Sequence, residues 1–195
     1  MRQVQPLGRR PTAGELVQFR DATVEDLLPD PLRLLFVGIN PSLWTAATGA
    51  HFARPGNRFY AALAGAGIID HPFDASAGYL EQDRAQLVAR GVGVTNLVRR
   101  ATARADELTP EELREGGERL RRTVREHHPH VVAVAGITAY RLAFGRRTAK
   151  VGRQPEDLEG APLFVVPNPS GLNAHESVQS LAAAYREAAE AAGVV

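Results

Sequence analysis

Asn-Pro-Ser occurs twice in this chain, at 40–42 and again at 168–170. Each copy ends an apolar run, RLLFVGI before the first and PLFVVP before the second. A third asparagine, Asn96, closes a similar run in GVGVTN. An asparagine side chain carries donors and an acceptor but no charge. It can hold a water molecule, and it can read the polar edge of a ring. It cannot take up a proton as a carboxylate does, so a water held this way implies slow catalysis. The following proline keeps its asparagine out of a helix and removes one backbone donor. Asn-Pro also starts many plain turns. Two copies at strand ends, with Thr95-Asn96 at a third, point to a site.

The elements that must position these residues can be read from the hydrophobic pattern. Four short, nearly continuous apolar runs, at 33–40, 92–98, 130–136 and 162–168, have the character of strands buried on both faces of a parallel sheet. Helical stretches lie between them. One is expected at 57–66 and another at 80–90, with Gly91 as its stop. Thr109-Pro110-Glu111-Glu112 is a capping box with proline at the first helical position, so a helix is expected from about 110 to 127, with Leu113, Leu120 and Val124 on its inner face. Asn173 with Glu176 suggests the start of a last helix, whose inner face is Val178, Leu181, Ala182, Tyr185 and Ala189. Alternating strands and helices predict a three-layer α/β/α sandwich around a short, mainly parallel four-stranded sheet. One domain over 1–195 is expected, with residues 1–12 loosely ordered and 145–160 a long polar loop. Ligands of such sheets bind outside the carboxyl ends of the strands, where all three asparagines fall.

Composition closes several alternatives. Cysteine is absent, which excludes disulfides, thiolate zinc sites and iron–sulfur clusters. No apolar stretch is long enough to span a bilayer, so a soluble, cytoplasmic protein is expected. The net charge of +1 gives no compositional sign of a nucleic-acid binder. Arginines nevertheless gather near the strand ends, at Arg54, Arg58, Arg99, Arg100 and Arg104. There is no GxxxxGK[ST] phosphate loop and no HExxH, and the histidines of HHPH at 127–130 read as a solvated turn. Metal chemistry is not expected. A base-binding module without catalysis remains open on these residues alone.

The segment GINPSLWTAATGAHFARPGNRFY resembles the first motif of the mismatch-specific uracil- and thymine-DNA glycosylases. That family reads Gly-Ile-Asn-Pro, a small-residue loop, then Phe-Ala-x-Pro-x-Asn-Arg-Phe-(Trp/Tyr). Pro167-Asn-Pro-Ser-Gly-Leu172 is similar to its other motif, and GVGVTNLV to the strand between them. The resemblance covers roughly residues 33–190. It implies a DNA glycosylase of base excision repair that flips uracil, or a related mispaired pyrimidine, out of duplex DNA and hydrolyses its N-glycosidic bond. No cofactor is implied. The implied partner is double-stranded DNA carrying uracil or a mismatched or damaged pyrimidine, and a monomer is expected.

Residue by residue, Asn40 matches the asparagine that positions the attacking water. Phe52 matches the aromatic that stacks on the flipped base. Gly38, Ile39, Ser42 and Asn96 fall in the expected substrate pocket. Arg58, Asn168, Ser170, Gly171, Leu172 and Asn173 fall where the family meets DNA, with Leu172 as the wedge that fills the vacated stack. Ser42 stands where the family commonly has glycine, and Trp44 with Ala46-Ala47 departs from its Ser-rich loop. Asn173-Ala174 replaces Ser-Arg, which bears on preference for a mispaired guanine. A carboxylate would supplement Asn40. Asp74, Glu81 and Asp83 precede the second strand, and Asp83 is the candidate auxiliary acid, against the simpler role of an acid in a helix's first turn.

Overall fold

The computed structural model describes residues 2–195. Two short strands near the start, β1 (Arg2–Gln3) and β2 (Ala22–Thr23), form a parallel pair. The central sheet holds β3 (Leu34–Gly38), β4 (Val92–Asn96), β5 (Val131–Ala135), β6 (Gly152–Arg153) and β7 (Leu163–Val166). Its spatial order is β4-β3-β5-β7-β6. Four strands are parallel, as expected, and β6 adds a fifth, antiparallel to β7. This corrects the reading of 145–160 as loop throughout. Two residues cannot display a strand's periodicity, and β6 exists through its pairing with Val165 and Phe164.

Among the described residues, seven α-helices accompany the sheet: α1 (Ala13–Leu16), α2 (Leu43–Thr48), α3 (Phe59–Gly65), α4 (Glu81–Ala89), α5 (Pro110–His127), α6 (Ile137–Phe144) and α7 (Val178–Ala191). Successive strand residues face opposite layers. Leu34, Phe36, Val131, Ala133 and Val166 pack with Phe59, Leu63, Leu87, Leu181 and Tyr185 of α3, α4 and α7. Leu35, Val37, Val132, Val134 and Val165 pack with Leu113, Leu120, Val124 and Tyr140 of α5 and α6. Helix α5 approaches closely because it is glycine-paired at its contact. A Cβ on Gly116 would stand 2.3 Å from the Leu97 carbonyl oxygen, and one on Gly117 2.8 Å from that of Ala143.

The N-terminal segment makes defined contacts with the rest of the fold within residues 2–24. β1 pairs with β2, the Leu7 amide donates to the Ala47 carbonyl at 2.8 Å, and Phe19, Ala22, Val24, Ala46 and Ala47 form a small third core. Helix α7 begins later than the Asn173–Glu176 pattern suggests. Its cap is Ser177, whose hydroxyl accepts from the Ser180 amide.

Candidate active site

A cleft of about 620 Å³ opens at the carboxyl ends of β3, β4, β5 and β7. Both Asn-Pro-Ser segments reach it, as does Asn96. Strand register sets part of the geometry. Gly38 and Asn96 are direct neighbours at the ends of β3 and β4. A Cβ at residue 38 would lie 2.4 Å from Asn96 Oδ1 and 3.3 Å from the Phe52 ring, so glycine there lets both side chains close over the strand end.

Asn40 is half-buried, and its orientation is fixed by acceptors. Its Nδ2 donates to the Arg100 carbonyl at 3.0 Å, to Thr102 Oγ1 at 2.7 Å and, more weakly placed, to the Pro41 carbonyl at 3.1 Å. The Thr102 hydroxyl spends its own proton on the Arg104 carbonyl at 2.7 Å, so it can only accept from Asn40. The amide nitrogen is thereby turned onto the 100–104 segment. Oδ1 is left as the acceptor at a site lined by cleft residues.

Sequence reasoning missed this supporting segment. Thr102, Ala103, Arg104, Ala105 and Asp106 form the second wall of the cleft. Arg100 anchors it: the guanidinium pairs with Glu112 of the α5 capping box and with Asp21. That pairing holds the Glu112 carboxyl down at about 2.

Phe52 lines the cleft in a left-handed backbone conformation, with φ of 54°, unusual for a bulky residue. One face of its ring stacks on Phe59 at 4.0 Å between centroids. His51, beside it, is buried, and its neighbours account for every polar group it has. The Tyr79 hydroxyl accepts from its amide at 3.2 Å and the Tyr60 hydroxyl donates to its carbonyl at 2.6 Å. Burial raises the pKa of both phenols, Tyr79 to about 12. Nothing but a lone histidine in GAHFA marked His51 in the sequence.

Several candidates take other work than expected. Ser42 lines the cleft, but its hydroxyl caps α2 by accepting from the Thr45 amide at 3.1 Å. Ile39 packs its side chain towards Gly136. Trp44 is not part of the lining; its indole N–H donates to the Ser76 carbonyl at 2.9 Å. Asp83 is 3% exposed in the first turn of α4, on the Tyr60 side, and does not line the cleft. Asp74 and Glu81 do not line it either. Among the described residues, the one acid lining the cleft is Asp106, exposed and paired with Arg104.

The second motif builds the opposite rim. Asn168 Oδ1 accepts from the Ser170 amide at 3.0 Å, and Ser170 Oγ from the Leu172 amide at 3.3 Å. Leu172 stands 75% exposed at the mouth. Arg58, expected where the family meets DNA, has its guanidinium turned inward. Its guanidinium donates to the carbonyls of Ser170 at 2.6 Å, Asn173 at 2.8 Å and Glu176, clamping this loop. Gly171 lies against Gly56, where a Cβ would be 2.6 Å from the Gly56 oxygen. Asn173 does not cap α7; its Nδ2 donates to the Asn168 carbonyl at 3.2 Å. Arg54 and Arg104, both exposed, are the arginines that line the cleft.

The model of the uracil DNA glycosylase superfamily matches residues 25–191, most of the chain and all of the cleft, and the chain belongs to this superfamily. Its activity class is therefore that of a DNA glycosylase acting on DNA. A candidate uracil DNA glycosylase from Methanosarcina acetivorans, solved by NMR in solution, shares the fold with a TM-score of 0.58. It is 17% identical, over 85% of this chain and 96% of that one.

Proposed function

We propose that the chain is a monofunctional, mismatch-specific uracil-DNA glycosylase. It flips uracil, or a related pyrimidine opposite guanine, into the cleft and hydrolyses the N-glycosidic bond, leaving an abasic site. The observation that carries this reading is the direction of the Asn40 amide. With Nδ2 committed to Arg100 and Thr102, Oδ1 accepts a hydrogen bond from a water and so aims that water's lone pair at C1′ of the extruded nucleotide. The C1′–N bond breaks with oxocarbenium character, the base departs as an anion, the water oxygen bonds to C1′, and the proton this water then sheds goes to solvent, from which the base anion is reprotonated. Asn40 does not take the water's proton. Stabilisation of the leaving anion supplies most of the acceleration. Asn168 contributes to it, since its Oδ1 is used by Ser170 and its Nδ2 donor stays uncommitted.

Leu172 enters the gap in the base stack, which costs a few kcal/mol to open. Arg54 and Arg104 meet phosphates at the mouth. Amine placement supports the monofunctional reading: the sole lysine, Lys150, is not among the residues lining the cleft, where its ε-amino group could form a Schiff base with C1′.

The test is a labelled duplex with uracil opposite guanine, incubated with protein and then treated with alkali. Strand scission that appears only after alkali is the expected result, with slower scission for uracil opposite adenine. Scission without alkali would overturn the monofunctional assignment. A duplex shifted in a gel but never cut would make the protein a base-binding module.

A further inference from the structure

The 100–102 segment holds Asn40 on one side, and its other side is also engaged. Its backbone groups alternate as those of an extended chain do. The Arg100 carbonyl and the Thr102 amide face the first motif: Asn40 Nδ2 donates to the former at 3.0 Å, and the latter donates to the Pro41 carbonyl at 3.2 Å. Ala101 faces the opposite way. Its amide donates to the Ala22 carbonyl at 2.8 Å, and its carbonyl accepts from the Asp21 amide at 2.9 Å. Thr23 and Arg100 form an antiparallel bridge, Ser42 and Thr102 a parallel one, and β2 is in turn paired with β1. A continuous ribbon of backbone therefore joins the start of the chain to the segment that carries Asn40.

Asp21 is the fastening point of this ribbon. It is exposed and stands at φ of 60°, a left-handed conformation that aspartate, asparagine and glycine tolerate and β-branched residues resist. In that conformation its amide meets Ala101 while its carboxylate accepts from Arg100 Nη1 at 3.1 Å. Arg20, beside it, pairs with Glu107. The strip at 20–23 thus grips the second wall of the cleft at 100–101 and again at 107. Neither Arg20 nor Asp21 lines the cleft, and both precede residue 25, where the superfamily match begins.

We infer that Asp21 is a positioning residue for glycosidic cleavage: through the 20–23 strip it sets where the Arg100 carbonyl and the Thr102 hydroxyl stand, and so the direction of the Asn40 amide. Displacing a positioning group by about 1 Å can cost up to roughly a hundredfold in rate. The wedge Leu172 and the cleft-lining Arg54 belong to other segments, so the strip governs the chemical step more than the hold on DNA. This role rests on the reading under Proposed function, because it concerns the same reaction.

The experiment uses the full chain and a uracil·guanine duplex. Asp21→Val opposes the left-handed turn and leaves the core untouched, since residue 21 is at the surface. Its single-turnover rate at saturating protein should fall by about tenfold, with the duplex Kd changed by less than about twofold. Asp21→Asn keeps an acceptor and the turn, and should recover most of the rate. Asp21→Gly keeps the turn without the carboxylate, and should fall between the two. A merely structural role would lower the unfolding midpoint and leave the saturating rate of the folded protein unchanged. That outcome, or equal losses in the Val and Asn variants, would overturn the inference.

A second readout needs no cleavage. In NMR spectra the Ala101 amide should exchange faster in Asp21→Val and the side-chain amide protons of Asn40 should shift, with Asp21→Asn close to the wild type. Unmoved Asn40 signals would sink the proposal. Should Asp21→Val not fold, Asp21→Gly decides by the same two readouts, and an unchanged rate with unmoved signals counts against Asp21. If the wild type cuts no duplex, the proposed activity has failed instead, and the Asn40 signals still test the positioning.

Discussion

The two Asn-Pro-Ser segments share a tripeptide and a place at strand ends, yet they offer opposite ends of their amides. Asn40 gives its nitrogen to Arg100 and Thr102 and keeps an oxygen. Asn168 gives its oxygen to the Ser170 amide and keeps a nitrogen. The first is an acceptor for a water; the second is a donor for an anion. The serines diverge too. Ser42 caps a helix through its hydroxyl, whereas Ser170 holds the amide of the wedge residue Leu172. The tripeptide is the same in both places, with Leu43 after the first and Gly171 after the second. What differs is the segment packed against each: 100–104 beside the first, Arg58 and Gly56 beside the second. An amide's chemistry is thus decided by its supports.

That contrast can be broken support by support. The largest effect is expected from Thr102→Val, which keeps the shape and removes both hydrogen bonds of the hydroxyl. With only the Arg100 and Pro41 carbonyls left to hold Nδ2, cleavage of a uracil duplex should slow by about tenfold or more, while Thr102→Ser should stay near the wild type. Single-turnover rates measure this; an unaffected Val variant would remove Thr102 from the support of Asn40.

Leu172→Ala should come next. Without the wedge, cleavage in duplex DNA should fall by roughly tenfold and cleavage of single-stranded uracil much less, because only the duplex must be unstacked. Equal losses on both would assign Leu172 to something other than flipping.

Arg58→Met tests the second loop's clamp. Hydrogen bonds to a charged donor are worth about 1.5–3 kcal/mol. Stability should drop by about that amount in chemical denaturation, with proteolytic nicking appearing at 170–176. Phosphate contact by Arg58 would instead show as a reduced salt slope of DNA binding with stability unchanged.

The smallest effect concerns the first loop's anchor. The Arg100 guanidinium holds the Glu112 carboxyl at about 2, below its ordinary value near 4.3. A depressed acid stabilises the fold above its unfolded pKa, and the contribution is lost as pH falls from about 4.5 through about 2. Glu112→Gln should flatten part of the pH dependence of unfolding in that window and leave neutral pH less affected by acidification. An identical acid profile in the variant would show the pair to be energetically silent, as exposed pairs often are.

How much of this was legible in the chain follows the same division. Runs of Val, Leu and Ile announced β3, β4, β5 and β7, and the capping box at Thr109 set α5 at Pro110. Burial on two faces and a reciprocal cap are local properties, so they leave local traces. The strand-end position of Asn40, Asn96 and Asn168 was legible for that reason. Their supports were not. Thr102 sits 62 residues from Asn40, and Arg58 112 from Ser170. Nothing in ATARAD or GNRF states which carbonyl or amide each will meet. Helix α2 escaped notice because six residues rich in Ala and Thr show no amphipathic stripe, although Ser42 before them is a proper cap. The start of α7 was misplaced because Asn173 and Glu176 imitate a cap that Ser177 and Ser180 actually make. Asp83 was drawn to the site by its type, and the turn of α4 carries it to the Tyr60 side instead.

The most direct test of the central claim sets the two asparagines against each other on one uracil·guanine duplex under single-turnover conditions. Asn40→Ala should cut strand scission by at least about a hundredfold with binding retained, and Asn168→Ala should cut it less. Cleavage by Asn40→Ala at the wild-type rate would contradict the account.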